Sequence, residues 1–171
     1  GYVYDSKPPY ELIESNDLSK EDIKKIHLAE EMLEKFWNSG KMPITMNKVM
    51  DNVSSPFYFF MEFGKYYLEH GFKLFKFQND ELFSYLNQYL NYEYEDLLIE
   101  DYLRLTKVKP KRWWKSRISK QQSRDVMHQL VEKYHLDQEE LFRYGLVEKL
   151  DSGYIVAIYK NYHANVKKYL L

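Results

Sequence analysis

The chain contains no cysteine. This absence excludes disulfides, thiolate zinc sites, a cysteine nucleophile and any iron–sulfur cluster held by the chain's own thiolates. Glycine and proline are scarce, 6 and 5 among 171 residues, which favours long helices over a turn-rich all-β fold. Neither sign of charge prevails. With 25 basic and 26 acidic residues, no global field directs the chain to nucleic acid or to an anionic membrane. The longest unbroken apolar runs, residues 57–61 and 154–159, fall far short of the ~20 residues that span a bilayer. No membrane partner is expected. No basic stretch followed by an apolar one opens the sequence, so no signal peptide is read there and a cytoplasmic location is expected. The P-loop, G-x-G-x-x-G, G-x-S-x-G and H-E-x-x-H motifs are all missing.

What is present is bulk. Apolar residues make up 44% and aromatic residues 18%, enough to build a core in one medium domain or a domain with a small appendage. Residues 1–18 read as an extended lead-in, stiffened by Lys7-Pro8-Pro9-Tyr10. Ser19 with Asp22 forms a capping box, and the stripe Ile23, Ile26, Ala29, Leu33 and Phe36 predicts a helix stopped by Asn38-Ser39-Gly40. A short helix over 44–53 follows. Ser55-Pro56 then supplies a cap and a first-turn proline for a helix over 57–69 that Gly71 ends. Asn79 caps a helix over 80–90, and Leu97, Leu98, Tyr102 and Leu105 predict another over 94–106. Ser119 with Gln122 opens a helix carrying Met127, Leu130, Val131 and Tyr134.

The periodicity then changes. Residues 142–150 and 154–160 flank Asp151-Ser152-Gly153, a three-residue hairpin signal, and a short helix is expected over 164–171. The fold class is therefore mostly α in an α+β sense. We expect an irregular multi-helix bundle over 19–171 with a small C-terminal antiparallel β-hairpin near 142–160.

Three features bear on chemistry. Asp125 with His128 and Glu132 with His135 have D-x-x-H and E-x-x-H spacing. Both pairs fall on one helix opposite its apolar stripe, which reads as a solvated face, so no metal ligand is assigned. The second feature is the stretch 107–120, in which Lys107, Lys109, Lys111, Arg112, Lys115, Arg117 and Lys120 surround Trp113-Trp114 without one acid. The remaining residues carry a net charge of about −8, so the asymmetry is real. Cations neutralise phosphates and exposed aromatics stack on bases. Lys109, Lys111, Arg112, Trp113, Trp114, Lys115 and Arg117 are therefore candidate nucleic-acid or substrate contacts. The bland alternative buries both tryptophans in the helical core. The third feature is the abundance of tyrosine, 17 residues in all, a side chain enriched at interfaces.

Several strings share an order and spacing with a known family. Gly1-Tyr2-Val3-Tyr4, Lys7-Pro8-Pro9-Tyr10-Glu11-Leu12 and Leu18-Ser19 with Asp22-Ile23 come first. Glu30-Glu31-Met32-Leu33-Glu34, Trp37-Asn38-Ser39-Gly40 and Ser55-Pro56-Phe57-Tyr58-Phe59-Phe60 follow. Asp101-Tyr102-Leu103 and Lys109-Pro110 before Trp113-Trp114 complete the set. Together they resemble a C-terminal domain of uncharacterised function appended to bacterial radical SAM proteins that carry an N-terminal cobalamin-binding-type domain.

The resemblance implies a parent that uses S-adenosylmethionine and a [4Fe–4S] cluster, with cobalamin as a further candidate. Such parents are labelled methyltransferases or iron–sulfur oxidoreductases. Their cluster needs a three-cysteine motif and their corrinoid a D-x-H-x-x-G histidine. This sequence has neither, so no catalytic, cofactor-binding or metal residue is assigned to it. The start inside the strand-like Gly1-Tyr2-Val3-Tyr4, without methionine, suggests a piece of a larger protein.

The leading expectation is a non-catalytic accessory domain whose partners are the radical SAM and cobalamin-type domains of the same polypeptide. Tyr2, Tyr4, Pro8, Pro9 and Tyr10 are its candidate interdomain contacts. The alternative is an RNA-binding module that uses the basic tryptophan segment.

Overall fold

The computed structural model describes residues 1–9 and 12–171; Tyr10, one of the expected interdomain contacts, lies outside the described residues. Among the described residues there are seven α-helices, a two-stranded antiparallel pair near the N-terminus and a three-stranded antiparallel sheet at the C-terminus. The mostly α fold with a small C-terminal β region is as the sequence predicts. The chain divides into two compact units, one comprising Gly1–Gly40 and Met46–Phe75, the other Lys41–Thr45 and Lys76–Leu171.

The first unit begins with β1 (Val3–Tyr4), paired antiparallel with β2 (Leu12–Glu14). Helix α1 (Lys20–Leu33) starts where Ser19 Oγ accepts the Asp22 N–H at 3.1 Å while the Asp22 carboxylate accepts the Ser19 N–H at 3.2 Å. Each side chain satisfies a donor that the first turn leaves open. A π-helical turn over Glu34–Asn38 carries α1 on to Gly40, whose φ of 65° ends it. Helix α2 (Pro43–Asn52) follows, its first residues belonging to the second unit. Helix α3 (Pro56–Glu69) is capped by Ser55 and stops before Gly71 at φ 64°. Its inner face joins an aromatic cluster: Phe36 lies 4.7 Å from Phe63 and 6.1 Å from Tyr67, centroid to centroid.

The second unit holds α4 (Asn79–Tyr89), α5 (Glu95–Leu105), α6 (Lys120–Tyr134), α7 (Gln138–Tyr144), β3 (Gly145–Leu150), β4 (Gly153–Lys160) and β5 (His163–Tyr169). Strand β4 is the centre of the sheet, pairing from Gly145↔Ile158 to Leu150↔Gly153 on one side and from Tyr154↔Tyr169 to Lys160↔His163 on the other. Val126, Met127 and Leu130 of α6, Leu141 of α7, Val147 of β3 and Val156 of β4 form one buried cluster. Ile155 and Ala157, on the opposite face of β4, are buried as well, so the strand is covered on both faces as its apolar sequence requires. Gly153 has φ 145°, and a Cβ there would sit 2.5 Å from the Tyr169 carbonyl oxygen, so the close pairing of β4 with β5 needs a glycine.

Three local expectations are corrected. The cap of α4 is Gln78, not Asn79: the Glu81 carboxylate accepts the Gln78 N–H at 2.8 Å. The first part of the expected arm 142–150 is the last turn of α7, which Asp137 caps by accepting the Glu140 N–H at 2.7 Å, so β3 starts at Gly145. The expected helix over 164–171 is strand β5. Asn161 and Tyr162 both take the left-handed conformation, φ 54° and 55°, and this tight turn folds the chain back along the edge of β4. Among the described residues no helix is long and apolar enough to cross a membrane.

Candidate functional site

Residues 106–119, between α5 and α6, have no regular secondary structure. Proline and alternating lysines give this segment no stripe to bury as a helix. It is ordered instead by one carboxylate from β3. Glu148 is fully buried, and its two oxygens accept from five donors, four of them in the segment. Oε2 takes Arg112 Nε at 2.7 Å and Trp114 Nε1 at 3.0 Å. Oε1 takes Ser116 Oγ at 2.7 Å, the Arg117 N–H at 3.3 Å and the Lys149 N–H at 3.2 Å. A buried carboxylate is tolerable only when it is paired and its lone pairs are filled, and here the basic segment fills them.

The sequence-predicted contacts therefore separate into two groups. Trp114 is buried, 6% exposed, and Trp113 is half-buried. Trp113 packs at 6.1 Å from Phe83 and 6.2 Å from Tyr102, and Trp114 lies 5.4 Å from Trp113, all in tilted or edge-on geometry. The Trp113 indole nitrogen is buried with no hydrogen-bond partner. Arg117 is committed to three carboxylates, with Nη2 at 2.8 Å from Asp96 and 3.3 Å from Glu95 and Nη1 at 3.0 Å from Asp151. Burial opposes its charge, but the three acids outweigh it and hold the guanidinium more firmly protonated than in water. These contacts tie the segment into the second unit, with Trp114 buried and Trp113 half-covered by Phe83 and Tyr102.

The lysines are different. Lys109, Lys111 and Lys115 are exposed and have no acidic partner among the described residues, as is true of Lys107 and Lys120. Although Lys109 reaches the surface, partial desolvation of its ammonium, with the neighbouring positive charge of Arg112, pushes it below its ordinary pKa.

Lys109 sits where two depressions meet. One, of about 390 Å³, runs past Lys107, Arg143, Tyr144 and Tyr162. The other, of about 530 Å³, runs past Arg112, Lys120 and Arg124 to Phe142 and Met127. No carboxylate lines either depression. Sequence reasoning missed Glu148, Arg124, Phe142 and Tyr162. The first had a signal: a single acid inside the apolar β3, in a chain whose longest acid-free basic stretch needs a counter-charge.

In the first unit, Tyr2 and Tyr4 are exposed, 71% and 57%, with their rings 6.5 Å apart, and Pro8 and Pro9 are exposed as well. The Gly1 ammonium donates to the Asn16 side chain. On α6, Gln121 donates to Asp125 at 2.9 Å, the His128 ring packs 4.8 Å from Phe142, and His135 is the left-handed C-cap. Among the described residues no group of three or more His, Asp or Glu side chains is placed to hold a metal ion.

These features define a helical module with a C-terminal antiparallel sheet, a basic segment folded onto a buried glutamate and a cation-lined surface beside it. The chain belongs to the family described as Protein of unknown function (DUF4080), which it matches over residues 1–168. No curated protein and no solved structure matches it.

Proposed function

We propose that this chain is a non-catalytic accessory module of a cobalamin-type radical SAM enzyme of the methyltransferase class, acting in the cytoplasm. It packs on the radical SAM and cobalamin-type domains of the same polypeptide and assists substrate recognition. The observation that carries this reading is the exposed strand β1, Val3–Tyr4, with the exposed Tyr2 before it, in the first unit. A two-stranded pair is marginal alone, and an open strand edge with large apolar side chains is a surface that another chain segment covers. Exposed Phe57 and Tyr58 at the start of α3 add apolar surface to the same unit. The ordered resemblance of strings from Gly1 to Trp114 supplies the identity of the neighbour.

The residues present do not fit the parent's cofactors. Without cysteine the chain offers no thiolate to a [4Fe–4S] cluster, and no histidine stands in a D-x-H-x-x-G setting for a corrinoid. Chemistry at those groups belongs to the parent, which uses S-adenosylmethionine; this module would bind, orient and exclude water.

The test has two parts. Reading the gene upstream of the Gly1 codon is expected to show a C-x-x-x-C-x-x-C motif, and a start codon directly before Gly1 would overturn the proposal. Titration of the module with the separately produced upstream domains is expected to show binding that weakens at least about tenfold in Tyr2→Ser/Tyr4→Ser. Absence of binding by the wild-type module would count equally against it.

A further inference from the structure

The larger depression of the second unit has three unusual properties together. Its charged lining is entirely cationic: Lys109 and Arg112 come from the loop before α6, Lys120 and Arg124 from the first turns of α6. Lys109, Lys120 and Arg124 have no acidic partner among the described residues, in a chain where acids outnumber bases by one. Arg112 spends Nε on Glu148 and Nη2 on the Val147 carbonyl, which fixes the guanidinium and leaves its Nη1 hydrogens uncommitted. Arg112 already has its counter-charge in Glu148, but bringing the unpaired Lys109, Lys120 and Arg124 to the same depression is unfavourable unless an anion joins them.

The depression is also not a flat charged surface. Phe142, Met127 and Ile118 give it an apolar wall, and its volume of about 530 Å³ falls within the range of small-ligand sites. Ser119 and Ser123 add hydroxyl donors at the rim, and the first turn of α6 carries no acidic residue to neutralise it.

We propose that this cleft binds a small phosphorylated molecule, with Lys109, Arg112, Lys120 and Arg124 holding the phosphoryl group and Phe142 with Met127 packing its organic part. A dianion matches three unpaired cations better than a carboxylate does, and the fixed Arg112 guanidinium, with its free Nη1 hydrogens, suits a tetrahedral oxyanion. A compact apolar wall suits a ring or short chain attached to the phosphate, where a polymer backbone would need a long open groove. The proposal stands apart from the accessory-module reading, since the cleft lies within the second unit and uses none of the residues assigned to docking.

The Lys109 ammonium, pushed down by burial and by Arg112, supports the assignment. An incoming anion would reverse that shift, so binding would take up a proton at alkaline pH and weaken as pH rises.

The test is calorimetric titration of the whole chain with AMP, inorganic phosphate and adenosine as probes. One-to-one binding of AMP, weaker binding of phosphate and none of adenosine are expected, with AMP affinity falling as salt rises. Lys120→Glu and Arg124→Glu should each weaken AMP at least about tenfold, while Lys107→Glu, in the neighbouring depression only, should leave it unchanged. Circular dichroism of each variant establishes that it folds. Silence toward both AMP and phosphate, or binding indifferent to Lys120→Glu and Arg124→Glu in folded protein, would overturn the proposal. An unstructured RNA oligonucleotide that binds more tightly than AMP, and is weakened as much by Lys107→Glu as by Lys120→Glu, would also overturn it in favour of a nucleic-acid surface.

Discussion

Arg112 Nε lies 2.7 Å from Oε2 of the fully buried Glu148, and this contact anchors the most basic stretch of the sequence to β3. The same oxygen accepts the Trp114 indole N–H, so one carboxylate anchors both the charge and the aromatic ring of the segment. Replacing Glu148 with alanine leaves Arg112, Trp114 and Ser116 without their acceptor. The expected loss is about 2–4 kcal/mol, because Trp114 and Ser116 lose a buried acceptor while the Arg112 side chain, 37% exposed, regains water. Glu148→Gln keeps the shape and one acceptor oxygen and should lose roughly half as much. Urea unfolding followed by tryptophan fluorescence measures both. Equal stability of the wild type and Glu148→Ala would show that the segment is not held by this hub.

A second tether joins the sheet to α5. The Tyr159 hydroxyl, on β4, donates to the Leu103 carbonyl at 2.9 Å and lies 3.0 Å from Thr106 Oγ1. Burial raises the phenol above its ordinary pKa, so the group stays a neutral donor across the working pH range. Tyr159→Phe removes the donor without creating a large cavity, and a loss of about 1 kcal/mol is expected. For a chain of this size that lowers Tm by about 2–4 °C, which a thermal melt resolves.

The caps were legible in the sequence because they are local. Ser19 with Asp22, Ser55 with Pro56, and Ser119 with Gln122 each act within four residues, and each begins a helix where the spacing says one should begin. Helix α7 was not legible, since it is only seven residues long with Leu141 as its fully buried residue. Strand β5 was hidden by its turn: Asn161-Tyr162 adopts two left-handed residues without the glycine that usually announces such a turn. The fate of the basic segment depended on Glu148, about 34 residues from Trp114, and no periodicity reports a pairing across that distance. The two tryptophans could be counted from the sequence. Whether they face water could not, because an indole buries equally well in a core or an interface.

Gly64 shows how closely α1 and α3 approach. A Cβ at this position would lie 2.4 Å from Leu28 Cγ. Gly64→Ala is therefore expected to destabilise the protein by about 1–2 kcal/mol, because the steric cost exceeds the gain in helix propensity. In a Leu28→Ala background the obstruction is gone, and the same substitution should stabilise by about 0.5–1 kcal/mol through propensity alone. The reversal of sign in this double-mutant cycle is the diagnostic outcome. A penalty of equal size in both backgrounds would mean that something other than Leu28 requires the glycine.

Glu100 and Asp101 are adjacent on α5 and should respond to acid in opposite ways. Both carboxylates are largely desolvated, which pushes their pKa values up. At Glu100 this is outweighed by Lys168 Nζ at 2.7 Å and Arg104 Nη2 at 2.7 Å, so its pKa lies below the ordinary value. Its contribution is present above the unfolded pKa of 4.5 and is lost as pH falls through the lower folded value. Asp101 accepts Thr45 Oγ1 at 2.7 Å and the main-chain N–H groups of Thr45 and Ile44 at 2.8 and 3.1 Å. Burial still prevails there, aided by the Glu100 charge, and the pKa is raised above 3.8. The folded protein then holds this proton more tightly than the unfolded chain, so the contribution is full below pH 3.8 and is lost as pH rises through the raised value. Urea midpoints measured from pH 3 to pH 7 separate the two. The penalty of Glu100→Gln should shrink on acidification, whereas that of Asp101→Asn should grow. If both penalties moved in the same direction, the balance between burial and ion pairing on α5 would have to be reassigned.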